Sequence, residues 1–488
     1  MYRPFALAAC LLALPLAGQG ATFDTLVIRN ARVIDGSGNP TRGPFDIVVA
    51  GGRIIRMPGH RPTQDWGGAH VLDATGMTVM PGIIDQHGHT TFRFEGRDVP
   101  RDYVYRLWLA HGITTIRDVG SNGLGDGLRG MVEQARLAAQ NRISAPTIYP
   151  YVTFSAANAA QGRERVRQAR QQGATGLKLF QIRPDVWEAV AAEAASLNLP
   201  IATDMKIQEY DALDMARLGI RSMEHWYGIP DAAIPGGIQR FPADYNYDEE
   251  DFRFRWAGDL WRQADPTRLS SVLDSMIAHR VTWDPTLAVY EANRDLTRAR
   301  NLPWFADYGW PSVLRSFEPN PQNHASYHFD WTSTDEVMWR DNYRIWMDWL
   351  RVYGDRGGNI TVGSDAGYLY HLYGFATIRE MEMQQEAGFS PLEVIRHATA
   401  NGARSLGLTE TGVVREGFEA DLVVVDGNPL HNLKVLYGIG IQVLEGDQLR
   451  TRGGVRWTIR DGIVFDARQL LAEVREMVAA EKTREANN

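Results

Sequence analysis

Two histidines two residues apart, His87 and His89, end the apolar run Ile83-Ile-Asp-Gln-His-Gly-His. On a β-strand, side chains two apart share a face, so both imidazoles can be offered to one metal ion. Two histidines can also share a strand without binding anything. Lys178 sits inside Gly176-Leu-Lys-Leu-Phe, where a buried ammonium is costly and calls for either a structural ion pair or a chemical role. His225 closes Ile220-Arg-Ser-Met-Glu-His, and Asp365 lies in Gly363-Ser-Asp-Ala-Gly. Taken singly, His225 could be a satisfied core histidine and Asp365 a helix cap. Glu224 is expected to face away from His225 and to pack or pair behind it.

These residues need a scaffold that brings distant segments together. Apolar strands at 80–87, 112–118, 147–153, 176–181, 200–204, 220–225, 280–284 and 360–365 alternate with helical stretches. That rhythm predicts an α/β fold, a (β/α)8 TIM-like barrel, whose catalytic groups gather at the C-terminal ends of its strands. Every candidate above lies at such an end. Short β-segments separated by Gly and Asn/Asp turns fill 22–79 and return over 409–466. Together they predict a small β-sandwich formed from both chain ends around a barrel at 80–408, with a C-terminal helix or tail at 467–488. Excursions at about 227–264 and 286–335 interrupt the barrel, and nine of the fourteen tryptophans fall between Trp256 and Trp349. A satellite core is the leading expectation for these aromatics, and a lid over the pocket is the alternative.

Composition narrows the class of protein. With 488 residues, 44% hydrophobic and 23% charged, the chain is an ordinary globular one. Arg3 precedes an apolar run from Phe5 to Ala17, and small residues follow to Ala21. This predicts a signal peptide at 1–21 and a periplasmic or secreted protein, because about 13 apolar residues fall short of the ~20 that span a bilayer. Membrane insertion of the mature chain is not expected. Leu7-Ala-Ala-Cys10 resembles a lipoprotein box, but the apolar run continues past it, which argues against lipid anchoring. Cys10 is the only cysteine, so a cleaved chain has neither disulfides nor thiol catalysis. A net charge of −8 without a basic block argues against nucleic acid and leaves a small-molecule substrate. A homo-oligomer stays open.

Val79-Met-Pro-Gly-Ile-Ile-Asp-Gln-His-Gly-His resembles the metal-binding motif of the amidohydrolase superfamily, in its imidazolonepropionase-like and prolidase-like branch. Gly112-Ile-Thr-Thr-Ile-Arg-Asp, Gly176-Leu-Lys-Leu-Phe, Ser222-Met-Glu-His, Val362-Gly-Ser-Asp-Ala-Gly and Gly417-Phe-Glu-Ala-Asp-Leu-Val-Val-Val-Asp-Gly-Asn-Pro follow in the family's order. The resemblance is weakest over 227–350. It implies that His87, His89 and Asp365 ligate a first divalent metal and His225 a second, with zinc expected and manganese the alternative. It further implies that Lys178 is carbamylated by carbon dioxide and bridges both metals, and that Asp365 shuttles a proton. The fifth strand departs from the family: Leu199-Pro-Ile-Ala-Thr-Asp places Asp204 where a histidine is expected. Asp204 could ligate through oxygen, or pair with Lys206 and leave one ion instead of two. Tyr227 and His371 are candidate substrate contacts. His111, His279 and His397 read as helix residues, and His324 and His328 fall in the second excursion. The implied activity is hydrolysis of a C–N bond, amide or peptide, in a small substrate such as a dipeptide or N-acyl amino acid, by metal-activated hydroxide. Hydrolysis of a lactone, cyclic amide or aryl ester would use the same centre. A non-catalytic binding protein with a degraded metal site is the reading from another class.

Overall fold

The computed structural model describes residues 20–90, 93–94, 97–180, 182–204, 210–237, 250–320 and 327–487. The expected leader up to residue 19, Lys206 and His324 lie outside them. Eight parallel strands, Ile83–Gly88, Ile113–Gly123, Thr147–Thr153, Gly176–Leu179, Ile201–Thr203, Ser222–Glu224, Thr282–Asp284 and Asn359–Ile360, pair in chain order. Most are short runs buried on both faces, as a parallel sheet covered by helices requires. The barrel closes at its seam, where Gln86 N–H donates to the Val362 carbonyl at 2.9 Å and Asp365 N–H donates to the His87 carbonyl at 2.8 Å. Asp85 staples that seam: one carboxylate oxygen accepts from the amides of His87 and Ser364, each at 3.0 Å, and the other from Thr377 Oγ1 at 2.7 Å. Gly363 sits between the closing bonds, and a Cβ there would lie 2.2 Å from Asp284 Oδ2 and 2.7 Å from His87 Cβ.

Neither chain end completes a sheet alone. Leu26–Val33, Arg42–Ala50, Arg53–Arg56, His70–Asp73 and Thr78–Pro81 join Leu422–Asp426, Gly454–Arg460 and Ile463–Asp466 in one mixed eight-stranded sheet. The joint is the antiparallel pairing of Thr78–Pro81 with Leu422–Asp426. Alternation along the latter sends Leu422 and Val424 into the sheet's own core with Leu26, Ile28 and Ile47, and Val423 and Val425 into the barrel's core. At the far edge Ile54 N–H donates to the Phe418 carbonyl at 2.9 Å, so the sheet folds over its apolar face. The last helix, Ala467–Ala486, lies on the first barrel helix, Arg101–Ala110, with Arg106 Nε 2.8 Å from Glu473.

A 23-residue helix, Ser333–Asp355, fastens both excursions to the barrel. Thr332 and Asp335 form its capping box, and Trp339, Tyr343, Trp346, Leu350 and Tyr353 make a buried stripe at helical spacing. Trp339 Nε1 donates to the Phe254 carbonyl at 2.9 Å, and the hydroxyls of Tyr343 and Tyr353 donate to the carbonyls of Leu287 and Val281, each at 2.6 Å. Trp226, Trp261, Trp283, Trp339 and Trp346 are fully buried, so these tryptophans serve packing. Among the described residues, no helix is long and apolar enough to cross a membrane.

Gly363→Ala is expected to cost about 1–3 kcal/mol by overpacking the seam. Gly130→Ala, in helix Asp126–Ala139 with nothing within 4 Å, should be neutral or gain up to about 1 kcal/mol. Denaturant unfolding of both variants measures this. Acid lability is the second expectation. Burial pushes His111 from 6.5 down to about 4 and His397 from 6.5 down to about 3. Both are therefore neutral in the folded protein while the unfolded chain takes up protons below about 6.5. Stability should fall as the pH drops from 6.5 towards 4, and His397→Gln should flatten that slope in thermal melts recorded against pH.

Candidate metal centre

A cleft of about 110 Å3 opens at the C-terminal ends of the barrel strands. His87, His89, Lys178, Asp204, His225 and Asp365 line it together. Asp365 Oδ1 lies 2.9 Å from His89 Nε2 and 3.6 Å from His87 Nε2, and its Oδ2 lies 3.8 Å from His225 Nε2. His225 Nε2 is in turn 3.5 Å from Asp204 Oδ2. Six residues from five strands or the turns just past them thus face one small volume, with His87, His225 and Asp365 close enough to share one ion.

Two of these side chains reach the cleft through unusual backbone. His225 has φ +59° and Asp365 φ +47°, conformations that non-glycine residues seldom adopt and that concentrate at functional sites. The turn at His225 corrects the expectation for Glu224. The sixth strand ends at Glu224, so the alternation that would send Glu224 outward when His225 points inward stops one residue early. Ser222 and Glu224 share the inner face, and Glu224 lies inside the barrel beneath the cleft, not behind it. Its Oε2 accepts from His87 Nδ1 and from Arg117 Nη2, each at 2.7 Å, and its Oε1 accepts from Ser222 Oγ at 2.7 Å.

Arg117 is the hub of this lower layer. It is completely buried, donates through Nε to the Gln86 carbonyl at 2.5 Å and through Nη1 to Ser222 Oγ at 2.7 Å, and lies 3.5 Å from Asp284 Oδ2. Burial pushes the Glu224 carboxyl up, but Arg117, Lys178 and His87 outweigh it and hold Glu224 well below the usual range. Burial and the neighbouring Glu224 push Asp284 well above its ordinary value. The two carboxyls around this single guanidinium are thus pushed in opposite directions. His87, Glu224 and Asp284 also lie close enough together to hold an ion, yet the cation present among them is Arg117. With Nδ1 donating to Glu224, His87 exposes the lone pair of Nε2 to the cleft, and burial pushes it down to about 3, keeping it neutral.

Lys178 Nζ is buried, 3.9 Å from Glu224 Oε2, and has no hydrogen-bond partner among the described residues. Burial lowers its pKa. An ammonium left in that state is unstable, whereas an oxygen-bearing group on this nitrogen would face donors suited to a divalent cation. The residues present therefore fit a metal centre. Asp204 is buried on the cleft beside His225.

Asp365 is held well below the usual carboxylate range, because the imidazoles of His87, His89 and His225 outweigh the upward push of burial. The cleft's walls are Val119, Phe180, Phe254, Val289, Tyr290, Tyr327, Tyr368 and Leu369. The excursions supply both buried packing tryptophans and the cleft-lining aromatics Phe254, Tyr290 and Tyr327. Tyr227 and His371 are not among the lining side chains. Tyr227 lies one layer back, its hydroxyl 3.0 Å from that of Tyr290, because the chain turns at His225. His371 is buried beside Glu291 and pushed down to about 4 by burial. Arg117, Asp284 and Tyr290 were not singled out from sequence. A charged residue inside the apolar run Ile113-Thr-Thr-Ile-Arg was the available signal for Arg117.

Arg117→Met leaves Glu224 buried without its cation and is expected to cost about 3–5 kcal/mol. The double variant Arg117→Met/Glu224→Met should cost less than the sum of the single changes, as read from denaturant unfolding of all four proteins.

A family model, Amidohydrolase family, matches residues 347–448. A dihydroorotase from Thermus aquaticus is 36% identical over 85 residues, 17% of this chain and 18% of that protein, so the chain matches under a fifth of its length. A 5'-deoxyadenosine deaminase from Methanococcoides burtonii is 25% identical over 462 residues, 88% of this chain and 90% of the relative. A crystal structure of a Xaa-Pro dipeptidase with bound methionine superimposes with a TM-score of 0.63 at 18% identity, covering 91% of this chain and 100% of that one, a likeness of fold. The closed barrel, the sheet shared by both chain ends and the histidines and aspartates gathered at the strand ends agree with these likenesses and with the resemblance to the amidohydrolase superfamily read from the sequence.

Proposed function

We propose that the protein is a metal-dependent hydrolase that cleaves a C–N bond, amide or peptide, of a small substrate such as a dipeptide or N-acyl amino acid. The observation that carries this reading is the buried Lys178 nitrogen, without a hydrogen-bond partner among the described residues, between three histidines and two aspartates at the C-terminal ends of the barrel strands. His87, His89 and Asp365 would hold one divalent ion, and His225 with Asp204 a second, zinc or manganese. Lys178 would serve both as a carbamate formed with carbon dioxide. When bound, such ions acidify water and polarise a carbonyl.

The chain's own residues supply the rest. Asp365, ionised beside three imidazoles, takes the proton of the attacking water at Oδ2 and returns it to the departing nitrogen as the acyl carbon gains the hydroxyl. Glu224 fixes the His87 ring so that only Nε2 faces the cleft. Phe180, Phe254 and Leu369 present apolar surface, suited to an apolar side chain on the substrate and to excluding bulk water. The likeness to proteins named as a dihydroorotase, a 5'-deoxyadenosine deaminase and a Xaa-Pro dipeptidase supports C–N chemistry here. The apolar leader after Arg3 supports export to the periplasm or medium.

Elemental analysis of protein purified without chelator should find one or two zinc or manganese ions per chain, and Asp204→Ala should lose one if two are present. Wild type supplied with metal and bicarbonate should hydrolyse members of a dipeptide and N-acyl amino acid panel. Asp365→Asn should lower kcat by about 10²–10⁴. Absence of both bound metal and turnover would sink the proposal.

A further inference from the structure

Tyr290 ends a turn, Leu287–Tyr290, that follows the seventh barrel strand, and its ring lies 5.5 Å from that of His225, edge on. The turn is rigidly held. Ala288 N–H donates to the buried Glu380 carboxyl at 2.8 Å, and the Leu287 carbonyl accepts the Tyr343 hydroxyl at 2.6 Å. Just before it, Thr286 takes φ +47° and its hydroxyl meets His225 Nδ1, so the turn and the cleft histidine are built as one unit. The Tyr290 ring is stacked on Trp339 at 6.0 Å and flanked by Trp226 and Trp346 at 6.4 and 6.3 Å, which packs it among indoles.

The hydroxyl is fixed as well. It lies 3.0 Å from the Tyr227 hydroxyl, and one bond between two hydroxyls uses one of their two protons. Either hydroxyl can be the donor of that bond; in the arrangement where Tyr227 donates, the Tyr290 proton is left for the cleft that Tyr290 lines and Tyr227 does not. Asp204 places a carboxylate on this same side, 3.5 Å from His225. Negative charge forming on a carbonyl oxygen there can be met by a neutral donor aimed at it, in addition to any ion that His225 and Asp204 hold. Preorganised donors of this kind are worth most in dry, apolar surroundings, and Phe254, Val289 and Tyr327 supply them around Tyr290.

We propose that the Tyr290 hydroxyl donates a hydrogen bond to the oxygen of the carbonyl under attack, as a catalytic residue, and that Tyr227 is its positioning residue. No proton is transferred: the bond strengthens as the oxygen gains charge and relaxes when the C–N bond breaks. The inference rests on the C–N hydrolase reading above and assigns to Tyr290 the contact that sequence position offered to Tyr227.

The test uses full-length, metal-loaded wild type, Tyr290→Phe and Tyr227→Phe on a dipeptide or N-acyl amino acid cleaved by wild type. Calorimetric binding of the matching methylphosphonyl amino acid, a tetrahedral mimic, and elemental analysis accompany the assay. Tyr290→Phe should lower kcat about 100-fold, with KM within about threefold. Its affinity for the phosphonate should fall by a comparable factor while metal content is unchanged. Tyr227→Phe should lower kcat about tenfold, and the double variant should be no worse than Tyr290→Phe. A metal-replete Tyr290→Phe that keeps kcat and phosphonate affinity within about threefold overturns the inference and leaves the hydrolase reading standing. Metal-loaded wild type that neither cleaves the panel nor binds the phosphonate overturns both. If Tyr290→Phe does not fold, Tyr227→Phe decides, and an unchanged kcat in it overturns the inference.

Discussion

The contact on which the rest of this structure depends is the one between Arg117 and Glu224 inside the barrel. A guanidinium in a water-free interior is tolerable only when its donors are used. Here they go to Glu224, Ser222 and the Gln86 carbonyl, which belong to the first and sixth strands while Arg117 itself belongs to the second. Three strands are thereby held in one register around a charge, and Glu224 stays ionised to accept from His87. The geometry of the cleft above is set from below: the His87 ring is locked because Glu224 is locked, and Glu224 is locked because Arg117 has nowhere else to go.

The layers above and beside this contact answer to different physical demands. Closure of the barrel is a backbone matter, settled by the seam bonds of Gln86 and Asp365 and by the lack of a side chain at Gly363. The excursions are fastened by the indole and hydroxyl donors of Ser333–Asp355, so their cleft-facing aromatics are part of a rigid wall. The cleft thus combines a charged floor made by strand ends with an apolar wall made by inserted turns.

What the sequence disclosed follows the same division. His87, His89, Lys178, His225 and Asp365 were legible because each lies in or just past an apolar strand, where a polar residue stands out, and the alternation of strands and helices announced the barrel. Glu224 was misplaced because alternation was extended across His225, and nothing in the sequence shows that this residue takes a positive φ. Tyr290 was missed because inserted turns carry no periodicity, and which of many aromatics reaches the cleft depends on tertiary packing. Tyr227 and His371 were chosen by nearness in sequence, which the bends after the sixth and eighth strands make a poor guide. Asp284 looked like any strand-end acid until Glu224 proved to be its neighbour.

The sheet assembled from both chain ends carries a further consequence for how the molecule comes into being. Thr78–Pro81 leads directly into the first barrel strand, yet its partner, Leu422–Asp426, is made more than three hundred residues later. Until then that edge offers unpaired amides and carbonyls to any passing strand, and a contact so distant along the chain forms slowly. The protein therefore cannot finish its N-terminal domain during synthesis, and a chain cut short anywhere before Leu422 leaves the support beneath His87 open. The arrangement makes completeness of the polypeptide a condition for a sealed fold.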